Sequence, residues 1–395
     1  MTACCDRTGL FKIFFIYLRL GCLSFGGPIA HLSYFKDEFV TRRRWLDSAS
    51  YAELLALCQF VPGPSSSQLG YAIGWYRAGL AGACAAWLGF TLPSALLMIG
   101  FAYGLFALGA FVEPLTHGLL IAAVAVVAHA TLGLGKKLCP DFPRLTIAIL
   151  AAAIVLSCPS HLSPVAAIII GALIGQWLKP AIEPPHPSFL AGQASTRKTV
   201  ILAALILYAL LLLLSLVTTS SAPGAIYAFH YRTGALVFGG GHVVLPLLND
   251  SIVAAGLVSE ENFLAGYSAA QALPGPLFAL SAFLGTVGSN SSPAAIGGIL
   301  ALVAIFLPGL LLLTGLLPFW GRIRSQQWTQ SALYGANAAV VGLLLAALIH
   351  PVWTHGIGSW SDLAFASIAF LALYRYKCPA WAVVIGSGIA GFIFY

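Results

Sequence analysis

Two histidines, two glutamines and a set of glycines and prolines recur in pairs along this chain of 395 residues. Gly26, Gly27 and Pro28 precede His31 in the stretch FGGPIAH, and Gly239, Gly240 and Gly241 precede His242 in FGGGH. Gln59 stands three residues before Pro62-Gly63-Pro64, and Gln271 three before Pro274-Gly275-Pro276. The chemistry these types offer is recognition of an anion by neutral donors. Glycine opens main-chain N–H groups to close approach, and proline at a first helical position forfeits no hydrogen bond. The helix start so created carries about +0.5 charge and unpaired N–H donors. A glutamine amide donates without fixing charge, and a histidine either donates to an oxyanion or carries a proton.

Glu38 and Asp250 lie 212 positions apart, each near the mouth of a broken segment, where a carboxylate can relay protons. Lys36, Arg42, Arg43, Arg44 and Arg77 are candidates for drawing a divalent anion toward one mouth. Each feature has a structural alternative. Gly- and Pro-rich kinks let helices cross closely, histidines cap or pack, loop carboxylates are solvated, and arginine runs anchor topology. His129, His161, His186 and His350 find no repeat partner and are taken as structural, and the role of mid-span Asn337 is open.

The elements that must hold these residues are membrane helices. Hydrophobic residues make up 59% of the chain and charged ones 8%, against about 25% charged in soluble domains, and the mean hydropathy is +0.93. Near-uncharged runs such as Thr199–Thr218 and Pro293–Pro318 approach the roughly 20 residues that cross a bilayer. The net charge of +7 is spread over short loops, which excludes a nucleic-acid stripe. The eight cysteines follow no metal spacing and read as buried thiols, so neither a metal nor a cofactor is expected. Lys12 and Arg19 interrupt any early apolar run of the kind a cleaved signal needs. With no HExxH, no Walker lysine loop and no His–Asp pair placed to activate Ser65–Ser67, the chain is not expected to be an enzyme.

The pairing is ordered. Phe25 and Phe238 are 213 positions apart, Gln59 and Gln271 212, and Pro93 and Pro308 215, as an internal duplication requires. The loop after the first FGG holds Lys36 and Arg42–Arg44; its counterpart holds Asp250, Glu260 and Glu261 without a basic residue. Positive loops stay cytoplasmic, so the halves are expected to be inverted. Hairpins that enter, break and return are placed at Leu10–Tyr34, Tyr51–Tyr76, Tyr231–Leu248 and Phe263–Ser289. A single tilted crossing for each remains the alternative. Spans follow near Leu80–Tyr103, Leu115–Gly133, Leu145–Cys158 and Pro164–Leu178, then Pro293–Pro318, Ser331–His350, Leu363–Tyr374 and Pro379–Tyr395. The predicted fold is an all-α polytopic membrane protein of two inverted-topology repeats. Residues 1–178 form the first, 179–198 a cytoplasmic linker, 199–218 an inverting span and 219–395 the second. The N-terminus falls in the cytoplasm and the C-terminus outside the cell membrane. Buried backbone in hydrocarbon survives only where protein or a polar cavity covers it, so four breaks at related positions point to a main-chain anion site.

SFGGPIAHLSYFKDEFVTRRRWLD followed by ALCQFVPGPSSSQLGYAIGW resembles the N-terminal half of the chromate ion transporter family in its long, two-domain form. VFGGGHVVLPLL followed by AAQALPGPLFALSAFLG resembles its C-terminal half. The resemblance covers nearly the whole chain. It implies efflux of chromate driven by the proton gradient, chromate resistance, and sulfate as a near-isosteric competitor. The alternatives are a transporter of sulfate or another oxyanion, and a passive channel or lipid scramblase using the hairpins as a polar groove. Partners are then the oxyanion and membrane lipid, with no nucleic acid; no motif specifies an oligomer, and a homodimer stays open. One departure is that Val258 stands where the first half has Trp45.

Overall fold

Periodic apolar residues, punctuated by capping side chains and Gly-Pro breaks, fold this chain into helices alone. The computed structural model describes residues 9–25, 27–108, 113–158, 163–178, 198–218, 224–237, 244–288, 293–320 and 326–394, and no strand occurs among them. The first half runs α1 (Leu10–Leu23), α2 (Gly27–Lys36), α3 (Ser48–Phe60), α4 (Ser65–Leu108), α5 (Glu113–Leu138), α6 (Phe142–Ser157) and α7 (Ser163–Leu178). A lone helix follows, α8 (Lys198–Val217). The second half opens with α9 (Ala225–Leu236), α10 (Val244–Leu248), α11 (Glu260–Ala272), α12 (Leu280–Val287) and α13 (Ala294–Leu316). It closes with α14 (Gln327–Ala347), α15 (Trp360–Tyr374) and α16 (Ala380–Phe394).

The halves correspond element by element. α3 and α11 begin and end 212 positions apart, and each starts on a side-chain cap. Asp47 accepts from the Ser50 amide at 2.7 Å and Ser259 from the Asn262 amide at 3.3 Å, satisfying donors that a helix start leaves unpaired. α2 winds on into a π-helical turn, Asp37–Arg42, and α10 into its counterpart, Asn249–Val253. α4 is interrupted at Ala78 and Gly79, where Gly79 has φ +63°. Its two parts match α12 and α13, and Pro93 and Pro308 lie inside the later parts.

The direction of the helices establishes the inversion. Gly135 of α5 lies beside Val341 of α14, and Leu120 and Val124, earlier on α5, lie against Gly356, later than α14. These equivalent helices therefore run antiparallel, the geometry of inverted-topology repeats. Each long helix also packs on the short pair of the other repeat. α5 runs parallel to α15, with His117 on Asp362 at one end and Lys136 on Tyr374 at the other. It runs antiparallel to α16, where Gly118 meets Ser387 and Gly391 meets Pro114. In the same way α14 lies along α6 through Tyr334 and Asp141, and against α7 through Gly335, Gly171 and Gly175. Glycine at these contacts lets backbones approach without an intervening side chain, the form of close packing available between helices in lipid.

Five described helical segments are long and apolar enough to cross a membrane: Ser65–Ala107, Pro114–Leu138, Lys198–Val217, Ala294–Leu316 and Gln327–Gly356. α6, α7, α15 and α16, expected as spans, have 15 or 16 residues each. At about 1.5 Å per residue that is roughly 24 Å, short of the ~30 Å hydrocarbon core. α8 exposes Leu202, Ile206, Leu210, Leu213 and Leu214, a surface suited to lipid.

Candidate functional site

The two Pro-Gly-Pro breaks are docked reciprocally. The Gly63 amide donates to the Val237 carbonyl at 2.7 Å, and the Gly275 amide to the Ser24 carbonyl at 2.9 Å. Ser24 and Val237 are equivalent positions, each just before an FGG stretch. Each break also rests on the proline-bearing turn of a helix of the other repeat. Gly63 lies against Gly309, next to Pro308, and Gly275 against Ser94, next to Pro93. Positive φ, +129° at Gly63 and +98° at Gly275, makes glycine the residue that fits both turns. Groups that a broken helix would leave bare in hydrocarbon are thus satisfied by the opposite repeat. The Gly63 and Gly275 amides are occupied by protein carbonyls in this conformation, so an anion here must find other donors.

Other polar groups are buried on the segments that flank the first repeat's breaks. His31 is fully buried; its Nε2 lies 3.0 Å from the Ser24 carbonyl and its Nδ1 3.4 Å from Ser66 Oγ. A carbonyl only accepts, so Nε2 carries the proton and Nδ1 takes one from the Ser66 hydroxyl. The hydroxyls of Ser24, Ser67 and Thr91 are buried and have no partner among the described residues. Ser65, Ser66 and Ser67 also form the first turn of α4, whose leading amides have no partner within the helix. Gln68, fully buried, donates to the Pro62 carbonyl at 2.9 Å and the Gly309 carbonyl at 3.3 Å. Its Oε1 has no partner among the described residues. The second repeat carries Leu277, Phe278 and Leu280 where the first has Ser65, Ser66 and Gln68. At these three positions the polar side chains belong to the first repeat alone.

The other sequence candidates fall in distinct places. Pro64, Pro274 and Pro276 are buried in the breaks, Pro62 is half-buried, and Gly27, the last residue of the first FGG, has φ +75°. Gln271 is buried beside Tyr267, whereas Gln59 is exposed, so the aligned glutamines do not share an environment. Gly26, Gly239, Gly240, Gly241 and His242 lie outside the described residues, as does the side chain of Pro28.

Glu38 and Asp250 occupy equivalent π-helical turns beyond the ends of α2 and α10 and are tuned in opposite directions. Burial alone would push the Glu38 carboxyl up, but Arg43 at 2.5 Å and Arg42 at 3.0 Å hold it below its ordinary value. Asp250 has no basic group facing it among the described residues, and burial pushes its carboxyl up to about 6. Glu38 and Arg42 line a cavity of about 350 Å³ with Asp37, Tyr34 and Arg19. Arg43 and Arg77 lie over the Trp45 ring, 5.8 and 4.9 Å from its centroid, and Lys36 and Arg44 are exposed.

Four further polar or charged residues are not among the site candidates read from the sequence. Arg19 and Arg232 are 213 positions apart, the spacing of the FGG breaks, and that spacing applied to cations would have paired them. Arg19 lines the cavity, while Arg232 is buried and donates to the Ser215 carbonyl of α8. Glu53 is the one charge within Tyr51–Tyr76 and is buried in α3. Gln68 follows the three serines after the first break.

The chromate transporter family model matches this chain twice, over residues 11–176 and 224–392. The chain belongs to the chromate transporter family. The two matched stretches fall on the two sets of corresponding helices. Among similar family proteins, a probable chromate transport protein of Synechococcus elongatus is 26% identical over 388 residues, 96% of this chain and 94% of that protein. A chromate transport protein of Pseudomonas aeruginosa is 26% identical over 399 residues, 97% of this chain and 92% of its own length. An uncharacterized transporter of Bacillus subtilis is 30% identical over 138 residues, 33% of this chain but 66% of that protein, which is thus about half as long. No solved structure matches significantly. The arrangement offers neutral donors at a helix crossing and a charged cavity on the neighbouring helix α1.

Proposed function

We propose that this chain exports chromate, a tetrahedral divalent oxyanion, from the cytoplasm across the cell membrane, with protons as the coupling ion. The observation that carries this reading is a pair of unpartnered buried hydroxyls, that of Ser24, whose carbonyl His31 bonds, and that of Ser67 in the first turn of α4. An oxyanion accepts from several donors at once, and donors already fixed in a dry site cost little reorganisation. The names of the relatives support chromate as cargo.

In the proposed path, the Arg19–Arg42 cavity is the mouth that receives the anion. His31, Ser24, Ser66, Ser67 and the start of α4 form its resting place at the crossing, with the FGG stretches around Gly26, Gly239, Gly240, Gly241 and His242 completing the shell. Asp250, free of a basic partner among the described residues, takes up and releases the coupling proton. Glu38 is held charged by Arg42 and Arg43 and shapes the mouth. The inverted repeats supply alternating access by rocking about the crossing. Sulfate, with the same charge and shape, is the competing cargo.

The test is flux of radiolabelled chromate in proteoliposomes, with and without an imposed pH gradient and with sulfate as competitor. Saturable flux that follows the gradient and is lost in the double variant Ser24→Ala, Ser67→Ala supports the whole reading. Sulfate flux without chromate flux reassigns the cargo. Flux indifferent to the gradient removes the proton, and movement of labelled phospholipid turns the crossing into a lipid groove.

A further inference from the structure

Away from the oxyanion path, the fold gathers Glu260, His350 and His355. Glu260 opens α11, while the histidines sit on the turns that follow α14, Leu348–Trp353 and Thr354–Gly356. One ligand atom from each of the three lies within 4.8 Å of the other two. Glu260 and His355 are half-buried and His350 is exposed, so the group is open to solutes.

Hydrogen bonds around the two rings orient their nitrogens. His355 Nδ1 lies 3.1 Å from the Pro351 carbonyl, which only accepts, so Nδ1 is the donor. That leaves Nε2 with a lone pair, yet Nε2 faces a Glu260 carboxylate oxygen at 3.1 Å. Two acceptors at that distance repel unless a positive charge, proton or metal, lies between them. The Thr354 hydroxyl lies 2.9 Å from the Pro351 carbonyl, 3.2 Å from His350 Nδ1 and 3.3 Å from His355 Nδ1. Each imidazole thus has its Nδ1 side anchored to a carbonyl or hydroxyl, the kind of outer contact that orients metal-bound histidines, and leaves Nε2 to bind. The rings lie parallel, 8° apart in plane and 6.4 Å between centroids.

We propose that Glu260, His350 and His355 bind a divalent transition-metal cation of the zinc class. Two imidazoles and one carboxylate are a common zinc donor set, with a fourth position left to water. Ligands of a tetrahedral zinc stand about 3.3 Å apart, given bonds of about 2.0–2.1 Å. The Glu260–His355 pair, at 3.1 Å, already has that spacing, and exposed His350 has room to close the rest. The loaded site ties the start of α11 to the end of α14. Since α11 leads straight into Pro274-Gly275-Pro276, metal holds one arm of the second break in its present position.

The test uses the full-length protein in detergent, stripped with chelator and titrated with Co²⁺ and then Zn²⁺. One Co²⁺ per chain, with d–d absorption and no thiolate charge-transfer band, is expected, which separates this site from the exposed cysteines. Zn²⁺ should displace it and raise the melting temperature. His350→Ala removes an exposed side chain, so its metal-free protein should melt as the wild type does while binding at least tenfold more weakly. Glu260→Gln should lose the site, and Thr354→Val, which removes only a hydroxyl that orients the rings, should weaken it about tenfold. Wild-type binding in all three variants overturns the proposal. So does the absence of saturable binding up to millimolar metal in folded protein, which would leave a proton between Glu260 and His355.

Discussion

Ser24 and Ser67 make the sharpest distinction between a packing device and a binding site. Each buries a hydroxyl with no partner among the described residues, and an unsatisfied buried polar group is a liability to stability. Ser24→Ala and Ser67→Ala are therefore expected to leave thermal stability within about 0.5 kcal/mol of wild type, or to raise it. If the hydroxyls donate to the anion, each loss should raise the KM for chromate about tenfold, as for a lost hydrogen bond of ~1.5 kcal/mol to a charged partner. Asp250 gives a pH prediction whose sign follows from its raised carboxyl. The folded carboxyl keeps its proton to about pH 6, the unfolded one to about 3.8. The native state thus binds the extra proton, and stability from this group is present at low pH and lost as pH rises through that window. Asp250→Asn should flatten that slope and stabilise the protein at pH 7 by at most ~3 kcal/mol, at about 1.4 kcal/mol per pKa unit. Melting curves between pH 4 and 8 check it, and the same variant should uncouple flux from the pH gradient.

Elements of opposite repeats share the cost of the two Pro-Gly-Pro breaks. Gly63 hands its amide to Val237 and Gly275 hands its own to Ser24, so neither break is satisfied within its own repeat. A Cβ on Gly63 would lie 2.7 Å from the Gln68 amide nitrogen and 3.1 Å from Gly309 Cα. One on Gly275 would lie 2.8 Å from Ser94 Oγ. Gly63→Ala and Gly275→Ala are each expected to cost about 1–3 kcal/mol from the positive φ alone, seen as lower melting temperature and folded yield. Gly63→Val, attractive from the sequence as a test of a main-chain anion site, would lose flux through packing and so does not isolate binding. The serine variants do.

For the whole molecule, the exchange of partners between repeats predicts how it assembles. α5 has its helical neighbours in α15 and α16, and α14 has its own in α6 and α7. Neither half buries its long helix by itself. Residues 1–178 expressed alone should fail to give a monodisperse species in detergent. Co-expressed with residues 198–395 they should co-purify and restore flux. A monodisperse, stable first half on its own would contradict the interlocked arrangement.

Much of this was legible in the chain, because it depends on local composition and on order along the sequence. Low charge and long apolar runs place it in a membrane, Gly-Pro pairs break helices wherever they stand, and two copies at offsets of 212 to 215 positions betray the duplication. Loop charge even anticipated the inversion. What sequence leaves open is what the breaks are bonded to, because a hydrogen bond between Gly275 and Ser24 spans most of the chain and leaves no local pattern. The same holds for His355 and Glu260, which look unrelated in sequence until the start of α11 meets the turn after α14. The contrast between Glu38 and Asp250 is of this kind too: identical in spacing, they differ in partner and burial. Spacing fixes which residues are equivalent; packing alone fixes what each of them faces, and the chemistry depends on that.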